Sequence, residues 1–488
     1  MPATQPWMET KSLVFLALCS VAVPVGVALV RRYPRLKDFC AALMVFGTTE
    51  PELVSINFYS REWYRGTTRG FELCWLDFLW LFILVDEWRS ARPACPRQRP
   101  VSLISMLVFF SYNALNVVLS EPRLFGLFEL SKALRAIMVF LAFAHYVKNE
   151  RDLRRLVWAL SLAVIYEWSW TIYARLVLGH ARSEGTLSHP NALSMYNLIA
   201  VPLLLAVALS DADQRLRRLC GIAAFLGTTS VMFTVSRAGL FSIALLLLAV
   251  GLTCGSWRIT PRKLAVAGLV CVSGAVLYAR LAPAFEARFA SEGGLQEEFG
   301  GEAHEGRGSY LVLADLMSAE NFWGCGLNNW SYCVSNRYGP MIGAHYLPYR
   351  GTDELPPDGP IPADSNIDDP QAPPGHSLYA ITLGETGWPG VILFTWVWLC
   401  WLWMAGSFLF KRSPAFRSRF GVGVFFGLAG AFSQSIVEWE FRQTPLLFLL
   451  HILIGALAAV YPARPSLSPS HAPAVRVSCV PSRIRRPG

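Results

Sequence analysis

The sequence predicts an all-α polytopic integral membrane protein, with about 12–13 transmembrane helices and one large outer loop. Three observations predict it. Of 488 residues, 53% are hydrophobic and only 16% charged, against roughly 45–50% and 25% in soluble domains. The apolar residues fall in blocks of about 17–23, the helical length that spans a ~30 Å hydrocarbon layer. Basic and non-basic loops alternate between those blocks. A soluble enzyme, a disordered chain and a disulfide-stapled secreted domain are thereby excluded.

The first block, Leu13–Val30, follows Glu9 and Lys11 and precedes Arg31-Arg32. A cleaved signal carries its charges the other way round, so this block reads as a retained helix. Thirteen spans follow in order: 12–30, 38–58, 71–87, 101–119, 125–147, 156–178, 192–210, 217–235, 237–254, 263–280, 388–410, 419–437 and 444–461. The second is interrupted by Thr48-Thr49-Glu50-Pro51-Glu52. It is kept because the basic loops 31–37 and 88–100 should share a side. Residues 218–254 are too long for one pass, so two helices meet near Ser236-Arg237. The chain thus divides into helices 1–10 (residues 1–280), a large loop (281–387), helices 11–13 (388–461) and a basic tail (462–488) that reads as disordered.

The formal net charge of +9 is a topology signal before it is anything else. Of the 43 Lys and Arg, 27 lie in loops 31–37, 88–100, 148–155, 211–218, 256–263, 411–419 and the tail. The opposite, much longer set holds 12. Basic loops stay in the cytoplasm, which puts the large loop outside and leaves nucleic acid without support as a partner. The eleven cysteines lie mostly inside apolar blocks, with no metal-ligand spacing. Cys325 and Cys333 share the large loop and offer a pair for a local disulfide.

Cations at outer helix ends run against the bilayer's preference and point to function. Glu129, Lys132 and Arg135 share one helix face, either as an internal ion pair or as a substrate contact. Arg175 and Arg280 read as interfacial snorkelling. Ser236 is placed to cap the helix that Arg237 opens. A helix N-terminus with an added guanidinium can hold a phosphate. In residues 180–191, Gly185 permits a tight turn and Pro190 suits the first turn of a helix. That turn aims Arg182 and His189 at the membrane surface. His376 precedes a short surface helix, which Pro389 should separate from the eleventh span. A neutral imidazole there can take a proton from a sugar hydroxyl.

The ordered set of motifs resembles the bacterial O-antigen ligase and O-antigen polymerase superfamily over roughly residues 100–460. It comprises Arg182-x-x-Gly185-Thr186-x-x-His189-Pro190-Asn191, Ser236-Arg237-Ala238-Gly239, Arg307-x-x-Tyr310 with Gly324-x-Gly326, and His376-Ser377-x-Tyr379 followed by Glu385-x-Gly387. The resemblance implies a GT-C-like, metal-independent and cofactor-free glycosyltransferase of the bacterial inner membrane, with its site facing the periplasm. Its donor would be an undecaprenyl-diphosphate-linked glycan, and its acceptor a lipid A core (ligase) or a second glycan (polymerase). On that resemblance His376 is the base and Arg182 and Arg237 hold the diphosphate. Arg307, Arg135, Lys132, His189, Tyr310 and Glu385 are expected substrate contacts. The long 341–374 segment and the outer loop Tyr64–Gly70 depart from simpler members. A polytopic transporter is the competing class, and it would need charged residues near the midplane.

Overall fold

The computed structural model describes residues 6–90, 100–255, 307–352, 370–411 and 413–461, with scattered positions between 260 and 286. It is an all-α protein with one two-stranded ribbon. Helices α1 (Pro6–Arg32), α2 (Pro34–Phe46), α3 (Trp75–Ser90), α4 (Leu103–Leu119), α5 (Arg123–Tyr146) and α6 (Glu150–Leu176) precede α7 (Pro190–Ala208), α8 (Gln214–Thr234) and α9 (Arg237–Cys254). After them come α10 (Gly308–Glu320), α11 (Leu378–Gly406), α12 (Phe416–Gln434) and α13 (Thr444–Val460). Among the described residues, four helices are long and apolar enough to cross a membrane: α7, α8, α9 and Leu378–Lys411. Helices α4 and α13 are apolar but shorter. The expected tenth span, 263–280, and the tail lie largely or wholly outside the described residues.

Two expected spans need correcting. The span 38–58 is a 13-residue helix, α2, followed by 3-10 turns and strand β1 (Ser55–Ser60). The span 71–87 begins instead as strand β2 (Gly70–Cys74), antiparallel to β1. The α-helix ends at Phe46 and tightens into a 3-10 turn, Glu50 before Pro51 leaves the helical region, and the β-branched and aromatic residues beyond pair as a ribbon. The ribbon's tip reaches the large loop. Arg61 Nε donates to the Thr352 carbonyl at 2.5 Å, and Arg65 Nη1 to that of Gln371 at 2.9 Å. Tyr64, wholly buried, stacks on Phe125 at 3.6 Å between ring centroids and donates to the Asn328 carbonyl.

Helix α7 is the central post. Every residue from Asn191 to Leu204 is buried, as expected of a helix apolar all round. It packs against α8, α9 and α12, while α5 packs against α3 and α13. Close approach is set by small residues: a Cβ on Gly427 of α12 would lie 2.6 Å from the Ile199 carbonyl of α7. Without a hydrophobic drive between helices in lipid, such contact is what holds them together.

Among the described residues, basic loops 31–37, 148–155 and 211–218 gather with the end of α3 at one end of the bundle. Lys37 pairs with Asp86 at 2.9 Å and with Glu87 at 2.7 Å, and Lys148 also reaches Glu87 at 2.7 Å. Arg155 pairs with Asp38 at 3.0 Å and Arg154 with Asp213 at 3.1 Å. Helix α7 ends beside this belt and begins at the opposite end. Its 19 residues measure about 28 Å.

At that opposite end the large loop folds onto the helices through α10 and a buried cluster around Trp330, Met317, Tyr338 and Ile381. Helix α11 breaks at Gly387, with φ 62°, two residues before the Pro389 expected to break it. Pro389 instead suits the first turn of the second half. Gly387 meets the backbone of Phe322–Gly324, where a Cβ would lie 2.6 Å from Gly324 N. Gly387→Ala should therefore destabilise the loop–bundle seam by about 1–3 kcal/mol, read as a fall in the thermal unfolding midpoint of the purified protein.

Candidate functional site

The site forms where the start of α7, the α8–α9 turn, the start of α10, the start of α11 and the α12–α13 loop meet. Each anchor follows from local sequence. Gly185 turns the chain at φ 63°, and His189 caps α7 with Pro190 in its first turn. Ser236 caps α9, its hydroxyl accepting from Gly239 N at 3.4 Å, which puts Arg237 at the helix opening. Ser377 caps α11, leaving His376 just outside it.

These anchors converge on Glu438, which is 1% exposed. His376 Nδ1 lies 3.2 Å from Glu438 Oε2. Arg307 Nη2 lies 3.2 Å from Oε1, and its Nη1 donates to the Val437 carbonyl at 3.0 Å. Asn191 Nδ2 also donates to Glu438 Oε1. Arg182 completes the shell, giving Nη2 to Asn191 Oδ1 at 3.2 Å and Nε to the Thr234 carbonyl at 3.0 Å. Thr234 lies three residues before Arg237, so α9 opens beside this corner. Tyr310 packs its ring 5.7 Å from that of His376.

Beside Glu438 stands Glu440, its Oε1 3.2 Å from His189 Nδ1. The same nitrogen lies 3.2 Å from Asn191 N and cannot serve both at once. The nearby carboxylate favours the protonated ring, and the bond to Glu440 raises the His189 pKa above its ordinary value. Burial raises Glu438 to about 7, the neighbouring Glu440 charge adding to it and His376 and Arg307 opposing it. Burial also pushes Glu440 up, but the bond and charge of His189 outweigh that and hold it below the usual range. Donor atoms of His376, Glu438 and Glu440 lie within 4.8 Å of one another, a spacing that a cation could bridge. The same carboxylates are already met by Arg307 and His189, so protein cations balance the cluster.

The His376 side chain is 32% exposed, and its Nε2 has no hydrogen-bond partner among the described residues. It can receive a proton from a group arriving from solvent. The flanking guanidiniums can meet an anion.

Four of the expected contacts thus gather here with His376 and Arg182: Arg307, His189 and Tyr310 directly, and Arg237 at the adjoining helix start. Three do not. Lys132 is 3% exposed and Arg135 7%. Lys132 pairs with Glu129 at 2.9 Å, and Arg135 makes two bonds to Asp77, at 2.9 and 2.6 Å. They form buried ion pairs, the arrangement that one of the two sequence readings gave them. Glu385 is also enclosed, held by Arg442 at 2.6 Å and by Trp330 N at 3.3 Å. It fastens the loop to the bundle. Arg175 folds back on the carbonyls of His180 and Ala181 at 2.8 and 2.6 Å.

Sequence reasoning missed Glu438 and Glu440, and placed Asn191 in a motif without giving it a role. The available signal was Glu438-Trp439-Glu440-Phe441-Arg442, alternating charge and aromatic between two apolar blocks. Cys325 and Cys333 are free thiols within hydrogen-bonding reach of each other. They line a separate cavity of about 650 Å³ between the end of α4 and the 320–338 segment, together with Asn116, Trp323 and Arg337.

No protein-family model matches this sequence, and no curated protein does. Removing one partner of a buried pair leaves a stranded charge at a cost of about 3–5 kcal/mol, whereas replacing both with apolar groups is close to neutral. Arg135→Met should accordingly destabilise strongly in thermal unfolding, and Arg135→Met with Asp77→Leu should recover most of the loss.

Proposed function

We propose that this chain is an integral membrane glycosyltransferase of the O-antigen ligase and polymerase superfamily. It would move a glycan from an undecaprenyl diphosphate carrier to an acceptor hydroxyl on the outer face of a bacterial inner membrane. The observation that carries the reading is the convergence of His376, Arg182 and Arg307 around one buried carboxylate. That convergence lies a full α7 length from the basic belt. A length of about 28 Å matches the ~30 Å hydrocarbon layer, and the positive-inside preference assigns the belt to the cytoplasm and the cluster to the periplasm. A multi-pass, GT-C-like bundle belongs to the same proposal.

In the reaction, the acceptor hydroxyl oxygen bonds to the anomeric carbon of the donor sugar as that carbon's bond to the phosphate oxygen breaks. His376 Nε2 takes the hydroxyl proton. The electron pair departs with the diphosphate, whose added charge is met by Arg182, Arg237 and Arg307. Guanidiniums fixed in a low-dielectric site stabilise such charge without reorganising. The acceptor is a lipid A core for a ligase and a second lipid-linked glycan for a polymerase, and the catalytic geometry serves either. Against the transporter alternative, the buried Lys132 and Arg135 are each committed to a carboxylate, Glu129 and Asp77.

Full-length protein in proteoliposomes, supplied with a lipid-diphosphate glycan donor, tests this. His376→Ala, Arg182→Ala and Arg237→Ala should each lower transfer by about 10²–10⁴-fold with the protein still folded and inserted, and EDTA should leave wild-type turnover intact. Full activity in the histidine variant would refute the assignment of the base.

A further inference from the structure

Glu438 grips the histidine segment twice. Its side chain faces His376 Nδ1, and its own carbonyl accepts from Leu378 N at 3.2 Å, two residues further on. Its other carboxylate oxygen is taken by Asn191 and Arg307, so the carboxylate cannot turn away. An imidazole that donates from Nδ1 must present an unprotonated Nε2 when neutral. That is the nitrogen left open towards solvent.

Resting on the glycosyl-transfer reading, we propose that Glu438 is the positioning residue of the base. Its carboxylate accepts the Nδ1 proton of His376, fixes the tautomer that exposes Nε2, and balances the imidazolium formed when Nε2 takes the hydroxyl proton. Asn191 and Arg307 hold the carboxylate in place for that task. The proton balance is closed: the acceptor oxygen loses one proton, Nε2 gains it, and Glu438 keeps its charge throughout. The groups around this carboxylate are His376 at the start of α11, Arg307 at the start of α10, Asn191 and His189 at the start of α7, Arg182 from the preceding loop, and Glu440 from its own loop. Tyr310 lies beyond His376. With two carboxylates against two arginines and two imidazoles, the cluster tolerates an ionised Glu438. Its raised pKa, about 7, then places loss of activity on the acid side of neutrality.

The test is kcat and KM against pH for Glu438→Gln, Glu438→Asp and His376→Ala in the full-length protein in proteoliposomes with the same donor. Glu438→Gln should lower kcat by about 10²–10⁴-fold, the scale seen when an orienting carboxylate becomes an amide, with KM little changed. The acid limb that Glu438 sets in the wild-type pH profile should be lost, because the amide does not titrate. Glu438→Asp should regain part of kcat and keep the acid limb near the wild-type pH. A Glu438→Gln enzyme with wild-type kcat and an unshifted limb, alongside an inactive His376→Ala, overturns this role and leaves the transferase reading standing. An active His376→Ala instead fells the reading and the role with it. Should Glu438→Gln not fold, Glu438→Asp decides: lowered kcat with the limb in place supports the role, and unchanged kcat refutes it.

Discussion

A carboxylate buried where an apolar bundle meets water has to be compensated, and at Glu438 that requirement organises one end of the molecule. Desolvating a charge is tolerated when hydrogen bonds and opposite charges surround it. The compensation here comes from four places in the chain: Arg307 from the large loop, His376 from the segment before α11, and Asn191 from α7, which itself holds Arg182. Helix caps, the turn at Gly185 and the fold of the loop onto the bundle all serve to bring these groups to the same carboxylate.

The protein keeps two kinds of ionic group apart. Arg135 with Asp77, Lys132 with Glu129 and Arg442 with Glu385 are enclosed pairs whose exposure to water is nearly nil. They fix how helices and loop meet, and they are committed to one another. The second kind, His376, Arg307 and Arg182, is only partly covered. It shares a small number of acceptors among several donors, with an imidazole nitrogen facing outward. Chemistry needs the second arrangement, and rigidity the first.

Much of the fold was legible because hydrophobic length and charge alternation are one-dimensional signals. The break between α8 and α9 could be read at Ser236-Arg237, since a capping serine and a first-turn arginine need no tertiary partner. The β1–β2 ribbon was not legible, because an apolar run of strand residues after Pro51 reads equally as the rest of a span. Lys132 and Arg135 show the limit for sites. Helical spacing says which side chains share a face, but what lies opposite that face, here Asp77 and the Thr68 turn, is set by packing. Glu438 was hidden for the converse reason. A loop of a few residues between two spans shows its alternating charged and aromatic residues, but not which acid turns inward.

The paired anchors at Arg61 and Arg65 carry a consequence for diversification. They fasten the chain at Thr352 and again at Gln371, so whatever lies between enters and leaves at two staked points. Lengthening a closed insert raises its closure entropy by only about 0.6 kcal/mol per doubling. A change of length between those two points therefore costs little and leaves the Trp330 layer, and the histidine beyond, in register.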